Sequence, residues 1–356
     1  MRLIFATMAA HGHTYPSVPL ALAAQRAGHD VVFAAGEEFV SRLRAAGLNA
    51  VAAGMSLPAA LQAAQDFPAG AERVGHALGH VMTQRMARDL APLRADLIVH
   101  DITTYGGALA ARNAGIPAVC HTFGRVEPGE MWRAAIEVAG ESAVSDLTVD
   151  ICPPALQSPR FTAERLLLRP VAWSPPGASP KRTDRPLVYL TLGTAFATTE
   201  VLRRCVDGLA VLPVDVLVAT GPASLDDVPD NVHVAAWVSQ AEVLPVADLV
   251  VHHGGSGTTL GALTAGRPQL VLPQAADGFG NADAVVSAGA GIRLLPEELT
   301  SEAVAGHARA LLADSAVHEA ARRVAAGIAA MPSPDDVVAE LTRTDWAGRP
   351  RPSSRG

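Results

Sequence analysis

The sequence predicts an α/β protein made of two doubly wound domains, each a parallel β-sheet with helices on both faces. Three observations lead to this prediction. Short apolar runs alternate with helical patterns bounded by glycine or proline. A proline-rich stretch at residues 174–186 interrupts this alternation, which then restarts. The chain has 356 residues, 49% of them hydrophobic, which is enough for two cores.

The first half repeats a strand–helix–strand order. A strand is predicted at residues 2–8, and a helix follows at residues 17–27, with Pro16 at its first turn and Gly28 at its end. Because parallel strands need a crossover helix between them, this order indicates a parallel sheet within a domain of residues 1–173. The other elements predicted here are strands at 31–34, 97–100 and 118–120 and a helix at 106–113.

The second half restarts the same order after the linker at residues 174–186. The domain is expected to span residues 187–333, and a last helix at 334–346 is expected to pack back on the first domain. Residues 347–356 are expected to be a disordered tail. The predicted strands are 187–192, 214–219, 232–235, 248–252 and 269–272, and the predicted helices are 301–312, 315–331 and 335–341.

The composition argues against some classes of binding partner. A net charge of −7 argues against nucleic acid, and no apolar run reaches the roughly 18–20 residues that cross a bilayer. The three cysteines lie far apart in the sequence and form no metal or redox motif, so we expect a reduced, cytoplasmic protein. A homodimer is one state that the sequence permits.

The segment His252–Thr258 is the most informative motif. It contains three glycines and lies between an apolar strand and a helical pattern. The first N–H groups of a helix have no partner and carry partial positive charge, and glycines let a ligand approach the backbone closely. The segment therefore predicts a site for phosphate groups.

Three more loops follow strands in the same half. They are Thr191–Phe196, Trp237–Gln240 and Pro273–Asn281. Loops at the carboxyl ends of parallel strands line one crevice, so we expect them to meet at the phosphate site. There a base can stack on Trp237 and Asp277 can accept hydrogen bonds from hydroxyl groups.

These motifs together resemble the inverting GT-B glycosyltransferases of family 1, especially the antibiotic-type members and the enediyne and macrolide enzymes among them. The chain carries W-x-x-Q, then H-x-G-x-G-T, then P-x-x-x-D-x-x-x-N, and it has H-G-H-x-x-P at His11–Pro16. The resemblance covers residues 2–341. It implies two Rossmann-like domains that face each other across a cleft, the first binding the acceptor and the second a nucleotide sugar.

The resemblance implies a role for each matching residue. His13 matches the general base, and Asp101 matches the carboxylate that orients it. The donor contacts implied or predicted are Gly193, Thr194, Trp237, Gln240, His253, Gly255, Ser256, Gly257, Thr258 and Asp277. The acceptor side is expected to be formed by a loop-rich region at residues 57–67 and by residues 123–141. Candidate acceptor contacts are His11, Phe67, Met82, Phe123, Met131 and Trp132.

The chemistry of these residues fits inverting transfer to a hydroxyl group. Histidine has an ordinary pKa near neutral pH, so it can take the proton of an acceptor, and a carboxylate on its other ring nitrogen stabilises the imidazolium. The expected co-substrate is a TDP- or UDP-sugar, with no other cofactor. No Asp-x-Asp pair is present, so no metal is expected. Gly278 stands where glucose-using relatives have Gln, which favours a deoxysugar or aminosugar.

Simpler interpretations of single residues remain open at this stage. His11 and His13 lack a third metal ligand, Asp101 can cap a helix, Asp277 can be a turn residue, and Trp237 or Met82 can belong to the core. Alternative functions are a GT-B sugar-nucleotide epimerase, a lipid-acceptor transferase, and a non-catalytic partner of a glycosyltransferase. An NAD(P)-dependent oxidoreductase is disfavoured because the first turn lacks G-x-G-x-x-G.

Overall fold

The chain is described here from a computed structural model that covers residues 1–178, 183–194, 198–275 and 277–346. It divides into two compact units. The first contains Met1–Cys152, Ser158–Arg169 and the chain from Pro332 onward, and the second contains Pro153–Gln157 and Pro170–Met331. The expected tail at 347–356 and residues 179–182 of the expected linker lie outside the described residues.

The first unit is built on one seven-stranded sheet in which all strand pairs are parallel. Its strand order is β3-β2-β1-β4-β5-β6-β7. The strands are β1 (Arg2–Ala6), β2 (Asp30–Ala35), β3 (Asn49–Ala52), β4 (Leu97–Asp101), β5 (Ala118–His121), β6 (Leu147–Asp150) and β7 (Arg165–Leu167).

Helices of the first unit connect these strands, and a helix from the C-terminal end of the chain joins them. That last helix, α15, packs on α2, and Arg26 pairs with Asp335 at 2.9 Å. The helices are α1 (His11–Thr14), α2 (Val18–Arg26), α3 (Glu37–Ala45), α4 (Leu57–Ala63), α5 (Ala71–His76), α6 (Thr83–Leu90), α7 (Tyr105–Ala114), α8 (Glu130–Ala139) and α15 (Pro334–Arg343). The α4 helix lies within residues 57–67, which were predicted to be rich in loops.

The first helical segment begins earlier than expected. Helical backbone starts at His11, continues through a 3-10 turn at Tyr15–Ser17 and runs on into α2. Pro16 does not start the helix but lies in the 3-10 turn, where its missing N–H interrupts the series of helical hydrogen bonds. His13 therefore lies inside the first helical turn rather than before it.

The second unit repeats the architecture with six parallel strands in the order β10-β9-β8-β11-β12-β13. The strands are β8 (Leu187–Thr191), β9 (Asp215–Ala219), β10 (Val232–Ala235), β11 (Leu249–His252), β12 (Gln269–Val271) and β13 (Gly291–Arg293). The helices are α9 (Thr199–Ala210), α10 (Gln240–Val243), α11 (Ser256–Thr264), α12 (Gly278–Ser287), α13 (Ser301–Ala313) and α14 (Ser315–Ala329). The predicted doubly wound α/β class is confirmed for both units.

Each sheet has a point where the strand order reverses. In the first unit the chain passes from β1 to one side and returns through β4 on the other, and in the second β8 and β11 stand in the same relation. Loops that leave such neighbouring strands diverge and open a crevice where ligands bind. Residues 7–13 and 101–104 flank this point in the first unit, and residues 192–194 and 253–256 flank it in the second.

No helix in the described part of the chain combines the length and the apolar character that crossing a membrane requires.

His121, the last residue of β5, supports a prediction about stability. It is 1% exposed, and both ring nitrogens lack a hydrogen-bond partner among the described residues. Burial lowers its pKa to about 4, against the opposing charge of Asp101. The unfolded chain therefore takes up the proton first, so the wild-type protein loses stability as the pH falls from 6.5 towards 4.

We expect His121→Phe to be at least as stable as wild type at pH 7, since it removes two buried polar atoms without partners. Its advantage should grow by about 1.4 kcal/mol for each pH unit between 6.5 and about 4, and stay constant below that. Urea unfolding at several pH values checks this, and equal pH dependence of the two proteins would contradict it.

Candidate active site

The carboxyl edge of the first sheet brings together the two residues predicted as base and orienting carboxylate. Nδ1 of His13 lies 3.0 Å from Oδ1 of Asp101. Asp101 ends β4 and is 1% exposed, whereas the His13 side chain is 18% exposed. An ionised carboxylate only accepts hydrogen bonds, so Nδ1 of His13 carries the proton and donates it. Nε2 of His13 is then the basic nitrogen of the ring.

Two threonines that sequence reasoning missed hold the carboxylate in place. The hydroxyl groups of Thr103 and Thr104 each donate to Oδ2 of Asp101 at 2.8 Å. Burial alone would raise the pKa of Asp101, but the electrostatic interaction with His13 and the hydrogen bonds from His13, Thr103 and Thr104 lower this pKa below its ordinary value. Asp101 therefore stays ionised. The signal that could have found the threonines is their position directly after a strand that ends in aspartate.

Two aromatic rings lie on one side of His13. Phe123 meets His13 edge-on, with ring centroids 4.5 Å apart, and Trp132 stacks on Phe123 at 6.3 Å. His11 contacts a different group: its Nε2 lies 2.9 Å from the guanidinium of Arg42, which sequence reasoning did not single out. Burial lowers the pKa of His11, and the charge of Arg42 lowers it further.

A narrow pocket opens beside these residues. Its lining includes Met82 from the predicted acceptor set, together with three other methionines and both threonines that bond Asp101. Phe67 does not line it; its ring stacks on His76 at 3.8 Å. Met131 is 54% exposed. The pocket is lined by Thr7, Met8, Ala9, Ala53, Gly54, Met55, Met82, Thr83, Met86, Thr103, Thr104, Tyr105 and Gly106.

In the second unit, the predicted phosphate-binding turn leads into α11. Gly254 adopts a φ of +87°, which glycine alone adopts at little cost. Gly255 precedes the helix, and Ser256, Gly257 and Thr258 form its first turn. The N–H groups of Gly257 and Thr258 belong to the first turn, where no intrahelical acceptor exists. The turn therefore offers hydrogen-bond donors and the positive end of a helix dipole.

His253 lies between this turn and the one after β8. A Cβ added to Gly193 would come within 2.6 Å of the His253 ring, so both turns must remain close to it. Burial lowers the pKa of His253, against the opposing charge of Asp277. His253 is thus neutral and can offer a phosphate a hydrogen bond rather than a full charge. Thr194 is exposed at the end of this turn.

His252 supports the turn from beneath. It is fully buried, its Nδ1 accepts from the N–H of Gly254 at 3.1 Å, and its Nε2 lies 2.8 Å from Oε1 of Gln269. This fixes the proton on Nε2.

Trp237 and Gln240 make contacts that the sequence did not predict. The indole N–H of Trp237 donates to the carbonyl of Pro175 at 3.4 Å, and Gln240 Nε2 donates to Thr258 Oγ1 at 3.0 Å. Residues 174–178, expected as linker, therefore pack along the Trp237 loop, and a parallel bridge joins Ala178 to Val238. Gln240 links the Trp237 loop to the phosphate-binding turn.

Asp277 also makes unexpected contacts. Its Oδ2 accepts from the Ser256 N–H at 3.0 Å, from the Ser256 hydroxyl at 2.6 Å and from Asn281 Nδ2 at 3.0 Å. Asn281 is buried and was not among the predicted donor contacts. Oδ1 of Asp277 accepts no hydrogen bond from the other described residues.

Gly278 has a structural reason to be glycine. A Cβ there would lie 2.8 Å from the backbone carbonyl oxygen of His253. Helix propensity favours alanine at the start of α12, but this backbone contact opposes any side chain. This close contact is a packing reason for glycine at this position, in addition to any effect on the donor sugar.

We expect Gly278→Ala to lower the free energy of unfolding by about 1–3 kcal/mol through overpacking. Gly306→Ala, in α13 with open space around its Cβ position, should raise it by about 0.5–1 kcal/mol. Urea denaturation of the two variants measures both changes, and a stabilising effect at position 278 would contradict this account of the contact.

Comparisons with known proteins show the family to which the chain belongs. A family model described as erythromycin biosynthesis protein CIII-like, C-terminal domain, matches residues 203–344. The L-demethylnoviosyl transferase of Streptomyces niveus is 34% identical, over 96% of this chain and 97% of that protein. The chain belongs to the antibiotic-biosynthesis glycosyltransferases. It is an enzyme of that class, as the motifs led us to expect.

Solved structures place this glycosyltransferase in the GT-B fold class. The spinosyn rhamnosyltransferase SpnG complexed with thymidine diphosphate matches with a TM-score of 0.82 and 26% identity, covering 96% of this chain and 100% of that one. SpnG complexed with spinosyn aglycone matches with a TM-score of 0.83 and 27% identity, with the same coverage. The predicted fold and family are confirmed.

Proposed function

We propose that this glycosyltransferase moves a deoxysugar or aminosugar from a TDP- or UDP-sugar to a hydroxyl group of an apolar natural-product aglycone, with inversion at the anomeric carbon. The observation that carries the proposal is the His13–Asp101 pair, joined at 3.0 Å at the carboxyl edge of the first sheet. The SpnG complexes with thymidine diphosphate and with an aglycone support the two substrate classes.

In this mechanism His13 is the general base. Its Nε2 takes the proton of the acceptor hydroxyl as the oxygen forms a bond to the anomeric carbon. The bond from that carbon to the diphosphate breaks on the opposite side, and its electron pair stays on the leaving oxygen. Asp101 holds the tautomer that leaves Nε2 basic and stabilises the imidazolium that forms.

The donor residues hold the nucleotide and receive the leaving group. The N–H groups of Gly257 and Thr258 bind the diphosphate, and neutral His253 adds a hydrogen bond as negative charge grows on the leaving oxygen. Trp237 faces the nucleobase and Thr194 borders the site. Asp277 binds a sugar hydroxyl through Oδ1.

The acceptor side is apolar and adaptable. Met82 and its methionine neighbours line the pocket beside Thr103 and Thr104, and methionine side chains adjust to ligands of irregular shape. Phe123 and Trp132 extend this apolar surface next to His13. A polyketide-like aglycone suits such a lining. Cys120, Cys152 and Cys205 are buried free thiols, which supports a cytoplasmic location.

The test is a panel of nucleotide sugars and aglycones, with free nucleoside diphosphate and glycoside measured by mass spectrometry. We expect turnover with TDP-deoxysugars and a product of inverted anomeric configuration by NMR. Efficient turnover of UDP-glucose with none of TDP-deoxysugars would overturn the donor assignment, and retained configuration would overturn the mechanism. Conversion of the nucleotide sugar without acceptor would instead indicate the epimerase alternative.

We also expect catalysis in excess EDTA. Helix N–H groups with partial positive charge and a hydrogen bond from neutral His253 stabilise the donor diphosphate, and the sequence holds no Asp-x-Asp pair for a divalent cation. The initial rates measured with and without an excess of EDTA should agree within about twofold. This difference is smaller than the change in rate that the loss of one hydrogen bond would cause. Loss of activity on chelation, restored by Mg²⁺, would refute metal independence.

A further inference from the structure

The start of α11 is held by side chains from a different helix. Asn281, which is 5% exposed, donates through Nδ2 to the carbonyl of Gly254 at 2.7 Å and to the hydroxyl of Ser256 at 3.0 Å. The same nitrogen lies 3.0 Å from Oδ2 of Asp277. Gly254 and Ser256 stand on either side of Gly255, so a single amide spans the phosphate-binding turn.

Asp277 completes a closed network around the turn. Its Oδ2 accepts from both the N–H and the hydroxyl of Ser256, the first residue of α11. It thus acts as a helix cap supplied from another segment, since Gly255 at the N-cap position has no side chain. Asn281 lies one helical turn after Asp277, so both side chains reach the same point. This geometry explains the four-residue spacing of D-x-x-x-N.

We infer that Asp277 and Asn281 are positioning residues for the diphosphate-binding turn, in addition to the sugar contact proposed for Asp277. The inference rests on the proposed function. The network holds the Gly254 carbonyl and the first N–H of α11, and it leaves the N–H groups of Gly257 and Thr258 for the ligand. Oδ2 of Asp277 accepts three hydrogen bonds within this network, so only Oδ1 is left to contact the donor sugar.

The sign of one measurement separates this role from sugar binding alone. Suppose that the Asp277 carboxylate only contacts the donor sugar. Its negative charge then repels the diphosphate of TDP, which has no sugar, and so weakens TDP binding. Removing it would then leave TDP affinity unchanged or increase it. If the carboxylate positions the turn, its removal decreases TDP affinity.

The experiment is calorimetric titration of the full chain with TDP, which carries no sugar. We expect Asp277→Ala and Asn281→Ala each to weaken TDP binding about tenfold, the usual size of a lost helix cap or buried hydrogen bond. Asp277→Asn should weaken it about threefold or less, because its amide oxygen still accepts from Ser256. In donor kinetics the KM for the nucleotide sugar should rise while the KM for the acceptor stays constant.

Asn231→Ala is the matched control. Its Nδ2 also donates to two backbone carbonyls, of Ala210 at 3.2 Å and Val214 at 2.9 Å, but away from the turn. It should bind TDP like wild type at a similar loss of melting temperature. If Asn281→Ala does not fold, Asp277→Ala and Ser256→Ala carry the test, since each removes a hydrogen bond between Asp277 and Ser256.

The outcomes are distinct. Wild-type TDP affinity in Asp277→Asn, Asp277→Ala and Asn281→Ala, or tighter binding by Asp277→Ala, would overturn the inference. A wild-type protein that binds neither TDP nor UDP would contradict the proposed function itself. Weaker binding by Asn231→Ala of the same size would show a general loss of stability and would also overturn the inference.

Discussion

Replacing His13 with alanine is expected to reduce kcat by about 10²–10⁴-fold, the range over which a positioned general base accelerates proton transfer. The His13 imidazole is the basic group beside Asp101, with 3.0 Å between Nδ1 and Oδ1. With alanine at this position, no side chain there takes the proton of the acceptor hydroxyl. Steady-state kinetics with a donor and acceptor found in the substrate panel measure the change.

Donor binding gives the decisive comparison for this variant. His13 belongs to the first unit, whereas the phosphate-binding turn belongs to the second. TDP affinity should therefore stay within about twofold of wild type, which is less than the loss of one hydrogen bond. His29→Ala, which removes another histidine of the same unit, should leave kcat unchanged. A loss of TDP affinity as large as the loss of kcat would show that His13 is not the general base.

The loops of the candidate site could be predicted from the sequence because both sheets follow one rule. Strands β1, β4, β8 and β11 were recognisable as apolar runs, and the residues that follow them are the polar ones. In a parallel sheet those residues lie at one edge, so His13, Asp101 and His253 could be placed without coordinates. The fold class followed from the same alternation.

What escaped prediction depends on contacts between segments distant in sequence. The cap of α11 comes from Asp277, which follows the next strand, β12. Residues 174–178, whose prolines predicted a linker, pack along the Trp237 loop. The packing reason for Gly278 likewise rests on the His253 carbonyl, which no local pattern reveals. The first helix was predicted to begin at residue 17 because Pro16 commonly occupies the first turn of a helix. It begins at His11 instead, since Ala10 is the extended residue that precedes it.

Replacing Asp101 with asparagine is expected to reduce kcat about 10³-fold, although the side chain keeps its shape. The hydroxyls of Thr103 and Thr104 both donate to Oδ2 at 2.8 Å, so the amide should turn its oxygen toward them. Its NH₂ group then faces Nδ1 of His13 and donates to it. The imidazole proton moves to Nε2, which is no longer a base, as in the loss of the correct tautomer when a triad aspartate becomes asparagine.

The tautomer distinguishes this effect from a simple loss of charge. Nitrogen-15 NMR of the His13 ring should report a proton on Nδ1 in wild type and on Nε2 in Asp101→Asn. Asp101→Ala leaves the ring free to adopt either tautomer, so it should be no less active than Asp101→Asn despite the larger truncation. Near-wild-type activity of Asp101→Asn, or an unchanged tautomer, would mean that the threonines do not set the orientation of this side chain.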